Sequence, residues 1–316
     1  MRMIRVQLIA FYSILFCALF FVDTKVCAQR NPIFAQYMFN GLVLNPAYSG
    51  SQGTMVLTGS ARSQWTGIKG APQTQVFTAH SPIKFTRSAA GAVLVHDQAG
   101  VIGQTTILGT YAYHIPVSRN GKIAVGGQAG ATYYSANLSD VNVVTQNNAP
   151  DLAFASNESR VLPNLGIGVY YYSKTTYIGV SLPTLINNRW SVSDEGKINE
   201  AQVRHYYLTA GHVFDLSPDL KLKPNILLKW VEGGPFQYDI NANLFIKQIV
   251  WVGMSYRMGD SVDGLFQWNV NDQLAFGYSY GYPVSSLAQV QWGTHEIVLN
   301  YRLKRDKNVI RSPRYF

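Results

Sequence analysis

The residue types that carry chemistry are present in this chain, but their spacing assembles no reaction. The six histidines, His80, His96, His114, His205, His212 and His295, are dispersed. None stands in the H-x-x-x-H spacing with a glutamate that holds zinc on a helix face. No G-x-S-x-G elbow and no phosphate-cradling P-loop occurs. Paired carboxylates are scarce, and Asp194-Glu195 falls in a polar stretch that reads as a solvated loop. The expectation is a chain without catalytic residues, metal ligands or cofactor. What remains is a set of charged residues, Arg62, Lys229, Asp239, Arg257, Glu296 and Arg302, embedded in otherwise apolar segments. Their meaning depends on the elements that carry them.

The N-terminus reads as an export signal. Arg2 and Arg5 precede an apolar run over 8–22, and Val26-Cys27-Ala28 supplies small residues before a cut. That run is shorter than the ~20 residues a spanning helix needs. Residues 1–28 are therefore read as a signal peptide, without the small residue expected ahead of a lipidated cysteine. Both cysteines, Cys17 and Cys27, lie inside it, so the mature chain is expected to carry no disulfide and no thiolate site.

Composition narrows the solvent. Charged residues make up 14% of the 316 residues and aromatics 13%, against about 25% charged in a typical soluble domain. Mean hydropathy is near zero. A barrel in lipid averages to neutrality in this way, apolar outside and polar inside. The formal charge is +9, and +7 once Arg2, Arg5, Lys25 and Asp23 leave with the signal. Much of it sits in a basic tail, 305–316. An exported chain rarely meets nucleic acid, so no such partner is expected, and solvation or an anionic envelope partner accounts for the tail.

After Ala28 the recurring pattern is alternation. Leu165, Ile167, Val169 and Tyr171 share one strand face, and Ile178, Val180 and Leu182 share the next. Tyr238, Ile240, Ala242, Leu244 and Ile246 alternate with Asp239, Asn241, Asn243 and Lys247. Ile297, Leu299, Tyr301 and Leu303 alternate with Glu296, Val298, Asn300 and Arg302. A period of two puts these sets on opposite faces of a sheet. About fourteen such segments, each about ten residues long, fit between residues 54 and 304, the length a tilted strand needs to cross a bilayer.

The connections alternate too. Short turns at Ser173-Lys174-Thr175, Ser217-Pro218-Asp219, Lys247-Gln248 and Asn271-Asp272 contrast with long polar segments at 135–160, 184–202 and 283–293. The fold expected is all-β, a transmembrane antiparallel up-and-down barrel over 54–304. A short irregular segment, 29–53, is expected in the periplasm or at the barrel mouth.

Charges facing lipid would cost roughly 2–4 kcal/mol each at the midplane, so Arg62, Lys229, Asp239, Arg257, Glu296 and Arg302 are expected in the lumen. They would pair there or tune a channel. Aromatics at strand ends, among them Tyr111, Tyr113, Tyr170, Tyr207, Trp230, Trp251, Tyr280 and Tyr282, read as interfacial girdles. Gly126, Gly127, Gly130, Gly277 and Gly281 read as sites that relieve crowding or permit bends.

One stretch is specific enough to suggest a family. Asn31-Pro32-Ile33-Phe34-Ala35-Gln36-Tyr37-Met38-Phe39-Asn40, followed by Asn45-Pro46-Ala47-Tyr48-Ser49-Gly50, resembles the DPxFSQYMFN…NPAYAG opening of mature PorP/SprF proteins. Asn31 stands where Asp is common and Ala35 where Ser is common. Arg62-Ser63-Gln64-Trp65 and the ending Ser312-Pro313-Arg314-Tyr315-Phe316 are also similar to that family. The resemblance implies a non-enzymatic component of type IX secretion and gliding machinery in the cell outer membrane of Bacteroidetes. It also implies partners: exported cargo with a C-terminal sorting domain, an OmpA-like peptidoglycan-associated periplasmic lipoprotein, and other secretion components. Candidate docking residues are Phe34, Gln36, Tyr37, Phe39, Asn45, Pro46, Tyr48, Arg314, Tyr315 and Phe316. Aromatic packing by Phe34, Tyr37 and Phe39 stands beside docking as a second reading of the first group. A diffusion porin and a secreted soluble β-adhesin are the competing functions.

Overall fold

A computed structural model of the chain describes residues 34–140, 157–191 and 199–303. The alternating segments form strands β1 (Val56–Ser63), β2 (Gln73–Pro82), β3 (Ser88–Ala99), β4 (Ile102–Pro116), β5 (Lys122–Ala136), β6 (Glu158–Tyr172) and β7 (Thr176–Leu182). The short strands β8 (Asn188–Ser191) and β9 (Asn199–Gln202) pair only with each other. Then follow β10 (His205–His212), β11 (Phe214–Ser217), β12 (Leu220–Val231), β13 (Gln237–Ile246), β14 (Val250–Arg257), β15 (Ser261–Asn269), β16 (Leu274–Pro283) and β17 (Thr294–Arg302).

Every barrel strand pairs antiparallel with its sequence neighbour, and β1 pairs with β17 from Val56↔Arg302 to Ser63↔His295. The ring is closed. With β11 as the continuation of β10, it has fourteen strands. Closure leaves no edge to expose unpaired backbone groups, the condition for a sheet to stand in hydrocarbon.

The polarity of the wall is inverted relative to a soluble protein. Leu165, Ile167, Val169, Ile178, Val180, Ile240, Leu244, Ile246, Ile297 and Leu299 are all exposed on the outer face. Their alternates Asp239, Asn241, Asn243, Glu296 and Asn300 are buried inside. Water would penalise such a surface by roughly 25 cal/mol per Å² of apolar area. Lipid does not, and the outward band is the part of the chain that a bilayer solvates.

Turns at one end of the barrel are short throughout: 83–87, 117–121, 173–175, 218–219, 247–249 and 270–273. The other end carries the long connections 64–72, 137–157, 183–204 and 284–293, although tight turns at 100–101 and 258–260 share it. Up-and-down pairing sends alternate connections to opposite rims, and the long ones all fall on one of them.

The girdle reading needs one correction. Tyr111, Tyr113, Trp230, Tyr280 and Tyr282 are exposed outward, but Tyr170, Tyr207 and Trp251 are buried inside. Their strand register assigns them to the inner face, where they meet apolar groups from elsewhere in the chain. Met254→Arg, on the lipid side of β14, should destabilise the barrel by roughly 2–4 kcal/mol. Ser255→Arg, its inward neighbour, tests packing instead. Denaturant unfolding of both variants in phosphatidylcholine vesicles checks the facing, and equal insensitivity of Met254→Arg would contradict it.

Candidate functional site

The lumen is filled by the chain's own N-terminal segment. Residues 34–50 coil through three short 3-10 turns, Tyr37–Phe39, Gly41–Val43 and Pro46–Tyr48. The third turn is built by Asn45-Pro46. Asn45 Oδ1 accepts from the Ala47 amide at 2.9 Å, and Pro46 occupies the first turn position, where no amide is needed. The same side chain is also a wall anchor. Its Nδ2 donates to the Val169 and Val180 carbonyls at 3.0 and 3.3 Å, tying the segment to β6 and β7 together.

The segment runs from the long-loop half of the lumen to the short-turn end. Near its start, the Ala35 and Gln36 amides donate to the two oxygens of Glu296 at 2.9 and 3.1 Å. At mid-height Thr78 donates to Asn40 Oδ1 at 3.0 Å, and Ser181 donates to the Leu44 carbonyl at 2.6 Å. At the bottom Ser49 bonds Thr110 at 2.7 Å, and the Gly50 amide donates to His80 Nδ1 at 3.0 Å. His114 Nε2 donates to the Ser49 carbonyl at 2.9 Å while Tyr172 donates to His114 Nδ1 at 2.9 Å, which fixes the imidazole tautomer.

Apolar packing completes the seat. Leu42, Ala47 and Tyr48 cluster with Val93, Leu108, Ala124, Tyr170 and Tyr177 on one side. Ala35, Tyr37, Met38 and Leu44 cluster with Tyr207, Leu227 and Leu265 on the other. Lys223, fully buried, places its ammonium 5.3 Å from the Phe39 ring, 5.8 Å from Tyr177 and 5.6 Å from Trp251. Such cation–aromatic contacts are worth up to ~2 kcal/mol when desolvated.

The wall is thinned where this backbone lies closest. A Cβ on Gly126 would stand 2.6 Å from the Ala47 Cα, and one on Gly168 or Gly277 would collide with the Asn45 or Gln36 side chain. The crowding expected at Gly126 and Gly277 is thus crowding against residues 34–50.

The fully buried charges are arranged asymmetrically. Among the described residues, Arg62, Lys223, Lys229, Asp239, Arg257, Asp263 and Glu296 stand on β1, β12–β15 and β17, all within the arc of the ring that runs from β12 through β17 to β1. Arg62 bonds Glu296 at 3.1 Å across the β1–β17 closure. That carboxylate therefore holds both the seam and the start of the internal segment. Arg257 bonds Asp239 at 3.1 Å, and Ser255 donates to the other Asp239 oxygen at 2.5 Å.

The sequence-derived lumen residues Arg62, Lys229, Asp239, Arg257 and Glu296 are placed together on this arc. Arg302 lies lower on β17 and half-buried. Phe34, Gln36, Tyr37, Asn45, Pro46 and Tyr48 are buried in the lumen and Phe39 half-buried there, deeper than the periplasm or mouth positions anticipated. They descend because an apolar, turn-rich segment finds its burial in the lumen. In this arrangement the segment's side chains pack against the wall. Arg314, Tyr315 and Phe316, the basic tail, the signal segment and Asp194-Glu195 lie outside the described residues.

Sequence reasoning missed His80, His114, Thr78, Ser181, Asn241 and Lys223 as seat residues; their inward placement is given by the strand facing in the structure. Glu296→Ala should cost about 3–5 kcal/mol, because it strands the buried Arg62 and two amides. Arg62→Met with Glu296→Met should recover the Arg62 share only. Urea unfolding in detergent checks both, and a cost under about 1 kcal/mol for Glu296→Ala would contradict the clamp.

Solved structures with this architecture include the toluene transporter TbuX of Ralstonia pickettii, 12% identical, with a TM-score of 0.50 over 85% of this chain and 94% of that one. The monoaromatic hydrocarbon channel CymD is 13% identical, with a TM-score of 0.52 over 90% and 96%. At such identities the likeness shows the fold alone. No curated protein matches the chain. A family model described as type IX secretion system membrane protein PorP/SprF matches residues 26–301. A closed barrel with a filled lumen, matched over nearly its whole length by that model, belongs to the PorP/SprF family of type IX secretion system membrane proteins.

Proposed function

We propose that this barrel is a non-enzymatic holder and coupler in the outer membrane. In this reading the long-loop end faces the cell surface and retains exported proteins that bear a C-terminal sorting domain. The short-turn end couples to periplasmic components, among them an OmpA-like peptidoglycan-associated lipoprotein. The family membership supports a role within type IX secretion.

One observation carries the choice of a holder over a diffusion porin: residues 34–50 occupy the lumen and are bonded to strands all round it. A segment anchored at three heights does not suit a permanently open diffusion pore, whose lumen is water-filled. The secreted-adhesin alternative is disfavoured by the apolar outer band, which would aggregate in water.

The test is a detergent-solubilised pull-down from native cells with a tag in the 284–293 loop. The reading predicts co-recovery of exported proteins sharing a C-terminal domain and of a periplasmic lipoprotein. Recovery of the barrel alone would contradict it.

A further inference from the structure

Among the described residues, the internal hydrogen bonding leaves the buried ammonium of Lys229 without an acceptor. Lys229 is 1% exposed, and its ammonium has no partner among the described residues. An uncompensated buried charge is among the costliest defects a fold can carry, so the position calls for a group that the described residues do not supply. The nearest carboxylate on the adjoining strand is committed. Asp239 already receives Ser255 on one oxygen and Arg257 on the other.

The surroundings of Lys229 are equally unfilled. The strand register sets Gln237 of β13 directly opposite it and His205 of β10 diagonally beside it. Both face the lumen within two residues of the long-loop rim, since β10 begins at His205, β13 begins at Gln237 and β12 ends at Val231. His205 Nδ1 donates to the Val203 carbonyl at 2.9 Å, which leaves Nε2 as an acceptor in the neutral ring. That Nε2 and the Gln237 Oε1 are both buried and unpartnered. The site thus offers one strong donor beside two acceptors.

We propose that Lys229, His205 and Gln237 form a subsite for the C-terminal end of a polypeptide. The terminal carboxylate accepts from the Lys229 ammonium in a charge-assisted bond. The amide N–H of the same terminal residue donates to His205 Nε2 or Gln237 Oε1. A chain end carries both an acceptor and a donor, whereas a bare carboxylate satisfies only the lysine. The inference rests on the proposed holding of exported proteins and names the feature that the barrel would read on them.

The test uses the purified full chain in detergent and a fluorescein-labelled pentapeptide, Gly-Ser-Gly-Thr-Val, with either a free or an amidated C-terminus. Fluorescence anisotropy should show the free acid binding at least about tenfold tighter than the amide. Lys229→Met should abolish that preference while the barrel keeps its heat-modifiable migration in gels. His205→Phe should weaken the free acid without making the amide the better ligand. Sodium acetate competing as well as the peptide, mole for mole, would support the carboxylate site but assign it to a small free acid.

Equal binding of acid and amide, or no binding to the native barrel, would overturn the inference and leave Lys229 a hydrated lumen lysine. That outcome is distinguishable from failure of the holder reading. Cargo can be recovered in the pull-down by a barrel whose Lys229 subsite is inert, and an active subsite can exist in a barrel that recovers none.

Discussion

A ring of fourteen strands is too wide to fill with its own inward side chains. About eight strands enclose a space that side chains can occupy, and diameter grows roughly in proportion to strand number. This constraint organises the rest of the molecule. Either the lumen holds water, as in a pore, or something else enters it. Here residues 34–50 enter it, and the wall is shaped to receive them. Glycines at 126, 168 and 277 withdraw the wall where the segment's backbone or side chains press against it. Asn45, Thr78, Ser181, His80 and Glu296 supply bonds at successive heights.

Closure and filling are joined through one carboxylate. β1 and β17 are the first and last strands, so their pairing is the step that makes the sheet a barrel. Glu296 faces Arg62 across that seam and accepts two amides from the internal segment. The seat therefore becomes complete only when the ring does. The opposite wall, β2 to β7, holds the segment through neutral groups and apolar packing, while the charges gather on the β12–β1 arc.

Much of this fold is legible in the sequence because lipid imposes a simple code. Period-two alternation in β13 and β17 gives the facing directly, since the alternates of Ile240 and Leu244 are Asp239 and Asn243. The charged lumen residues follow from the same rule. The internal segment does not follow from it. Phe34 to Gly50 has no period, and an irregular apolar stretch can pack in a mouth, in the periplasm or in a lumen with the same local sequence. The signal lay elsewhere, in glycines at inward strand positions and in Tyr170, Tyr207 and Trp251 on the face that should be polar. Those aromatics are uneconomical in a wet lumen and natural against a second layer. The unfilled donor at Lys229 is legible only in three dimensions, because it depends on which strand partners are already committed.

The account turns on the lumen being closed by residues 34–50. The most direct measurement is the conductance of the purified full chain reconstituted in planar lipid bilayers at 1 M KCl, with insertion confirmed by protease protection. The account predicts no steady conductance steps of porin size. Regular, long-lived open channels from the native chain would contradict it.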